Sequence, residues 1–291
     1  MRLDEGFQFL DSRGVTGGCC FRTHNDKQRR CSDGYRFSDL TDLPSRIKAD
    51  DYRTQKYHQA QEAYGQVFQV LKTLKKVELS TKQSIAAITY HQLGMVSQEL
   101  REYEQARSHY QQALDIKIEY NDRYSQASTY HQLGRVSQEL REYEQARSHY
   151  QQALDIFIKY NDRYSQASTY HQLGSVAQAL REYEQARSHY QQALDIFIEY
   201  NDRYSQASTY YQLGKVLEEL DNISEAKACY LEDLKISIEY DDKSGLATTL
   251  RNLARFCRKY PDSDFVAEIA NSLNATVEEL EKLFEDFSND E

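Results

Sequence analysis

The sequence predicts an all-α protein, an α-solenoid built from antiparallel helix pairs. Three observations carry that prediction. The chain repeats itself with a period of 40 residues. Each period contains two stretches whose apolar residues fall at helical spacing. And 291 residues with only two prolines and eleven glycines hold too few turn formers for a sandwich or barrel of short strands.

The repeat is close to literal. Residues 121–160 recur at 161–200 with four changes, at 135/175, 137/177, 139/179 and 159/199. The segment 81–120 joins the pattern from Thr89 onward, and 201–240 follows it for its first half before drifting. Within one period, Ala127, Tyr130, Leu133, Gly134 and Leu140 mark one apolar stripe. Tyr143, Ala146, Tyr150, Ala153, Leu154 and Phe157 mark a second. The link Leu140–Tyr143 is short and polar, and Asn161-Asp162 supplies turn chemistry before the next unit. Two helices of about 16 residues, roughly 24 Å long, follow from this spacing. Small residues let the backbones approach and tyrosines fill the wider gaps, so duplication explains the 24 tyrosines.

The flanks read differently. Tyr57, Ala60 and Tyr64 echo the second-helix spacing six residues out of register, which predicts a degenerate capping helix within 51–80. A decayed copy occupies 241–260, where Leu250, Leu253 and Ala254 hold the places of Tyr210, Leu213 and Gly214. A helix from Asp264 to Leu273 and a last one opened by the capping box Thr276-x-x-Glu279 close the 241–291 segment as an acidic cap. Residues 1–50 show no period and mix charges freely, and are expected to be a disordered or loosely attached leader.

Charge excludes one class of partner. The net of −10 resides mainly in 261–291, which carries −9, whereas 51–260 carries −2 and 1–50 carries +1. A duplex-binding surface needs a basic face, and none is visible, so no nucleic-acid partner is expected. No stretch approaches the roughly 18 apolar residues of a membrane span, so no membrane partner is expected. The opening MRLDEGFQFL carries two acids and lacks the basic start and apolar run of a secretion signal. A cytoplasmic location follows from that reading.

Candidate chemistry is sparse. Five cysteines contain no Cys-x-x-Cys pair. Cys19, Cys20, His24 and Cys31 read as leader thiols rather than a zinc site, because adjacent cysteines rarely both ligate well. Cys229 and Cys257 read as core. The glycines of 14–18 lead into no Gly-Lys-Ser/Thr, and no hydrolase or metalloprotease motif appears. Ser128 and His131, repeated as Ser168 and His171, stand one helical turn apart with no acid placed to orient the imidazole. The chain is therefore read as non-enzymatic, with no cofactor.

The motif Tyr-x-x-Leu-Gly, then Ala, Tyr and Ala at fixed offsets, resembles the tetratricopeptide repeat, with Tyr where that motif often has Trp. The matching residues are Tyr90, Leu93, Gly94, Ala106, Tyr110 and Ala113, with equivalents at 130–153, 170–193 and 210–226. The family's period is about 34 residues, so the 40-residue spacing resembles the longer-helix variant of kinesin light chains and many cyanobacterial signalling proteins. Cys229 and Tyr230 are read as shifting the second-helix pattern of the fourth unit. The resemblance implies four repeats over 81–240, coiled as a right-handed superhelix whose first helices line a concave groove.

The resemblance also implies which residues face that groove. One level reads His91, His131, His171 and Tyr211, and another reads Gln98, Gln138, Gln178 and Glu218. The level between, Met95, Arg135, Ser175 and Lys215, differs in every copy, and Glu139 lies on the same stripe. Drift at an exposed site and diversification of a recognition site both explain that variation. The histidines are read as polar contacts to a bound peptide or as solvated side chains, since first helices about 10 Å apart keep two rings from sharing an ion. His109, His149 and His189 are assigned to the outer face of the second helices. The Lys and Asn clamp for a chaperone's C-terminal carboxylate is absent, because His and Gln hold that stripe. The functional expectation is a protein-protein interaction scaffold that takes a peptide or helix of a partner protein in its groove. The alternative is a regulatory or sensor subunit of a signalling assembly whose NTPase or protease is a separate chain. The sequence assigns no oligomeric state.

Overall fold

A computed structural model describes residues 44–73, 78–240 and 243–289. The chain divides into two units at Asp50/Asp51. Of the first unit only 44–50, the opening of one helix, is described, so 1–43 of the expected leader, with its cysteines, lie outside the described residues. Among the described residues the structure is all helical. The elements are α1 (Pro44–Thr73), α2 (Leu79–Glu99), α3 (Tyr103–Glu119), α4 (Arg123–Glu139), α5 (Tyr143–Lys159) and α6 (Arg163–Ala179). They continue with α7 (Tyr183–Glu199), α8 (Arg203–Glu219), α9 (Ile223–Glu239), α10 (Lys243–Lys259), α11 (Ser263–Ser272) and α12 (Val277–Asn289). Consecutive helices pack as pairs, α2 on α3 through α8 on α9, and each pair packs on the next.

Every corner from α2 to α9 turns on one residue in the left-handed region. Arg101, Asn121, Arg141, Asn161, Arg181, Asn201 and Asp221 have φ between 52° and 61°. At the first corner the amide of Glu102 donates to the carbonyl of Ser97 and that of Arg101 to Gln98, closing the open end of α2. The same pair of bonds recurs at the next corner, from Asp122 to Lys117 and from Asn121 to Ile118. Asparagine tolerates this backbone well; arginine does so at a cost of about 1 kcal/mol that the two bonds offset.

The Asn-Asp corner also starts the next helix. The carboxylates of Asp122, Asp162 and Asp202 accept from the amides of Ser125, Ser165 and Ser205 at 3.1–3.2 Å. Buried Gln126, Gln166 and Gln206 donate back to the carbonyls of Lys117, Phe157 and Phe197 in the preceding helix. Tyr124 and Tyr164 reach one repeat ahead, and their hydroxyls donate to Asp162 and Asp202. The polar half of the repeat is thus the joint between units.

The apolar half is the pair interior. Tyr110, Tyr150, Tyr190 and Tyr230 are fully buried. Each ring lies flat on the first helix at a glycine: a Cβ at Gly94, Gly134, Gly174 or Gly214 would meet ring atoms at 2.6–2.8 Å. The close approach explains the invariant glycine of the array. Tyr230 occupies the same place as its counterparts, so the expected shift in the fourth unit does not occur; Cys229 substitutes for a histidine in unbroken register.

At the ends, α1 meets α2 through Phe68 on Tyr90, with ring centroids 4.5 Å apart. Phe256, Phe265, Ile269, Leu280 and Phe284 continue the core through α10, α11 and α12. The capping box is formed: Thr276 N–H donates to Glu279, and Glu279 N–H donates to Thr276 Oγ1.

Candidate functional site

First helices touch one another along the array, α4 on α6 and α6 on α8. Their outward stripe is where the sequence places the groove residues, and the structure divides those residues into two groups. Met95, Arg135 and Glu139 are exposed, and Ser175 and Lys215 are half-buried at the same levels. Among the described residues Arg135 bonds only within its own helix, to Gln132 at 3.3 Å. Lys215 Nζ stands 5.4 Å from the centroid of the Tyr211 ring. Glu139 accepts from the Tyr103 hydroxyl and Ser175 from Gln138.

The other group is committed to the scaffold. Gln98, Gln138 and Gln178 accept the hydroxyls of buried Tyr110, Tyr150 and Tyr190 at 3.0–3.2 Å. Glu218 does the same for Tyr230 and is itself buried, with Arg255 Nη2 at 2.7 Å. A phenol closed inside the pair needs an acceptor, and the residue one turn below the glycine supplies it. The expected groove level at 98, 138, 178 and 218 is therefore a row of tyrosine acceptors. Tyr211 is half-buried, and its hydroxyl donates to Asn252 at 3.3 Å.

The histidine ladder is also corrected. His91, His131 and His171 sit edge-on to Tyr110, Tyr150 and Tyr190 at 5.3–5.4 Å. His91 and His171 pair through Nδ1 with Thr129 and Thr209 on the next first helix, at 3.3 and 3.0 Å. Burial drives all three rings down to about 4, well below an ordinary histidine. They are neutral spacers between first helices and do not titrate near 6.5. His109, His149 and His189 do not lie on the outer face either. They stack on Tyr90, Tyr130 and Tyr170 at 6.2–6.3 Å, with Nδ1 buried and without a hydrogen-bond partner among the described residues.

Two buried charges escaped the sequence reading. Lys117 stands where later repeats have Phe157 and Phe197, and its ammonium donates to Thr129 Oγ1 at 2.7 Å and the Ser125 carbonyl at 3.1 Å. Burial lowers it to about 8. Asp233 stands where earlier repeats have Ala113, Ala153 and Ala193, and burial raises it to about 6. The signal was available at 40-residue spacing, as a charge where three other copies have alanine for Asp233 and where two have phenylalanine for Lys117. Among the described residues no group of three His, Cys, Asp or Glu side chains could hold a metal, and no helix is long and apolar enough to cross a membrane.

Glycine-seated tyrosines, paired helices and a bare stripe along the first helices define a helical-repeat solenoid of the interaction-scaffold class. The tetratricopeptide repeat model matches residues 85–159 and 165–239, more than half of the chain, and the protein belongs to that family. No curated protein matches in sequence. Among solved structures, the apo form of RapI is similar with a TM-score of 0.63 and 19% identity, covering 77% of this chain. The alignment spans only 60% of the RapI chain. BtubC (BKLC) from P. vanneervenii is similar at a TM-score of 0.56 and 18% identity, over 84% of this chain and 93% of that one. A Rap protein complexed with Competence and Sporulation Factor is similar at 0.56 and 18%, over 83% and 66%. At these identities the likeness is one of fold.

Proposed function

We propose that the protein is a non-enzymatic scaffold that holds an acidic segment of a partner protein, as a peptide or helix, along the stripe of its first helices. The observation that carries the reading is the level Met95, Arg135, Ser175 and Lys215. It differs in every copy while the scaffold around it stays fixed, and among the described residues Arg135 and Lys215 make no bond to another helix. Two cations, Arg135 and Lys215, against the one exposed carboxylate among the expected groove residues, Glu139, favour acidic over basic partners. That a similarly folded Rap protein is found complexed with a factor agrees with this use of the fold. The unpaired thiols of Cys229 and Cys257 suit a reducing compartment such as the cytoplasm. A regulatory subunit of a signalling assembly would present the same surface, its partner then being an NTPase or protease.

The test is selection of a random peptide library displayed on phage against the parent protein. The double variant Arg135→Glu with Lys215→Glu and the outer-face variant Gln152→Glu are carried in parallel. Selected peptides should be rich in acids and lose about tenfold in affinity on the double variant, a change of ~1.4 kcal/mol. Equal loss on Gln152→Glu would remove the stripe from consideration.

A further inference from the structure

An open cavity of about 340 Å³ lies where α8, α9 and α10 meet. It arises from departures from the repeat that converge on one place. Ser237 replaces the phenylalanine that fills the equivalent space as Phe157 and Phe197, both buried. Asp233 replaces a buried alanine, Tyr211 replaces the ladder histidine, and Asn252 stands where Gln132 and Gln172 stand earlier. Losing a phenyl ring from a packed core leaves a void that drift would close with another apolar group. Here the void is floored instead by a carboxylate that is only 6% exposed.

Among the described residues the carboxylate accepts one side-chain hydrogen bond. Thr249 Oγ1 donates to Asp233 Oδ2 at 3.0 Å, and Ser237 lies 3.3 Å from the same hydroxyl. Among the described residues no cation pairs with it. Even with burial raising it to about 6, the group is ionised at neutral pH. A buried anion facing an open cavity with no counter-charge is a ligand group awaiting a cation.

The chain itself shows which cation fits. At the first joint of the array Lys117 holds the position of Ser237, and Ser125 and Thr129 hold those of Gly245 and Thr249. There the lysine ammonium bonds Thr129 Oγ1 and the Ser125 carbonyl. At the last joint the lysine is gone, the matching threonine remains, and a carboxylate has been added. The walls include Ala207, Ile236 and the rings of Tyr204 and Tyr211. Apolar and aromatic walls around one carboxylate suit an alkylammonium, which carries its own hydrocarbon stem and is drawn to ring faces. A hard metal ion would need six or more oxygens.

We propose that the cavity between α8, α9 and α10 is a receptor for a primary alkylammonium group, whether a free amine or a lysine side chain, with Asp233 as its counter-ion. The site is independent of the groove reading, because its test uses no peptide library and no stripe variant. The full chain is titrated calorimetrically with n-butylammonium, with neutral 1-butanol, and with Nα-acetyl-lysine methylamide. Butylammonium should bind in the millimolar range and at least about tenfold more tightly than butanol. Asp233→Asn should erase that preference while circular dichroism stays unchanged. Ser237→Phe, which restores the ring of the earlier repeats, should abolish binding of all three and raise the melting temperature. Comparable binding of the lysine amide assigns the site to a lysine side chain; exclusion of the amide with retention of butylammonium assigns it to a small free amine. Equal affinity for amine and alcohol, or an amine preference that survives Asp233→Asn, would overturn the proposal.

Discussion

An imidazole closed against a tyrosine ring loses the water that would stabilise its charge. His91, His131 and His171 are in that position, each lowered to about 4 against about 6.5 in an unfolded chain. Between those values the unfolded chain binds more protons, so the stability these rings provide is complete above about pH 6.5 and is lost as the pH falls toward 4. Each contributes on the order of 3 kcal/mol to that loss. Asp233 acts with the opposite sign. Its pKa is raised to about 6 from 3.8, so its contribution is complete below 3.8 and is lost as the pH rises through 6. Three groups outweigh one, and the array should weaken on mild acidification. Denaturant melts at about pH 7.5 and pH 5 should show a smaller difference in the variant with Gln at 91, 131 and 171 than in the parent. An unchanged pH difference would mean that the rings are solvated.

Within an element, the decisive contact is a tyrosine ring laid on a helix backbone. Gly134→Ala adds a methyl group 2.6 Å from Tyr150, a fully buried ring that His131 of the same first helix meets edge-on at 5.4 Å and whose hydroxyl is held by Gln138. Overpacking of this kind costs about 1–3 kcal/mol, against a helix-propensity gain of up to about 1 kcal/mol. Thermal melting should therefore show net destabilisation. Gly65→Ala in α1 has nothing within 4 Å of its added methyl and should be neutral or stabilising. This level of the structure was legible in advance, because Gly134 and Tyr150 recur at a fixed offset and helical spacing puts both on facing stripes. Groove residues were legible only in part. Spacing places Gln138 and His131 on the outward stripe, but it does not reveal that Gln138 turns in to a phenol or that His131 lies against the same ring. Those commitments depend on the neighbouring helix, which a single stripe does not contain. Asp233 was missed for a different reason: the fourth copy drifts from the others, and the buried charge resides in the mismatch.

At the scale of the whole array, the polar joint between units recurs along with the units. The joint at Asp122 and the joint at Asp162 use the same capping serine, the same buried glutamine and the same left-handed asparagine. Removing residues 121–160 would join Tyr120 to Asn161 and create the dipeptide that the chain already uses at 120–121, 160–161 and 200–201. The shortened protein should remain fully helical by circular dichroism and unfold cooperatively at a lower temperature, since stability in such arrays is close to a sum over units and their contacts. Loss of cooperative unfolding would show that particular repeats are not interchangeable.

The same joint has a consequence for heredity. Two stretches that encode nearly the same 40 residues in tandem invite unequal recombination, which adds or removes whole periods. Most proteins would be destroyed by such an event. Here the reading frame, the corner and the buried glutamine bond all return in phase, so a recombinant presents a complete interface on both sides of the exchange. What changes is the distance along the first helices between Arg135 and the Asp233 cavity, which lengthens or shortens by whole repeats while the cavity itself stays intact.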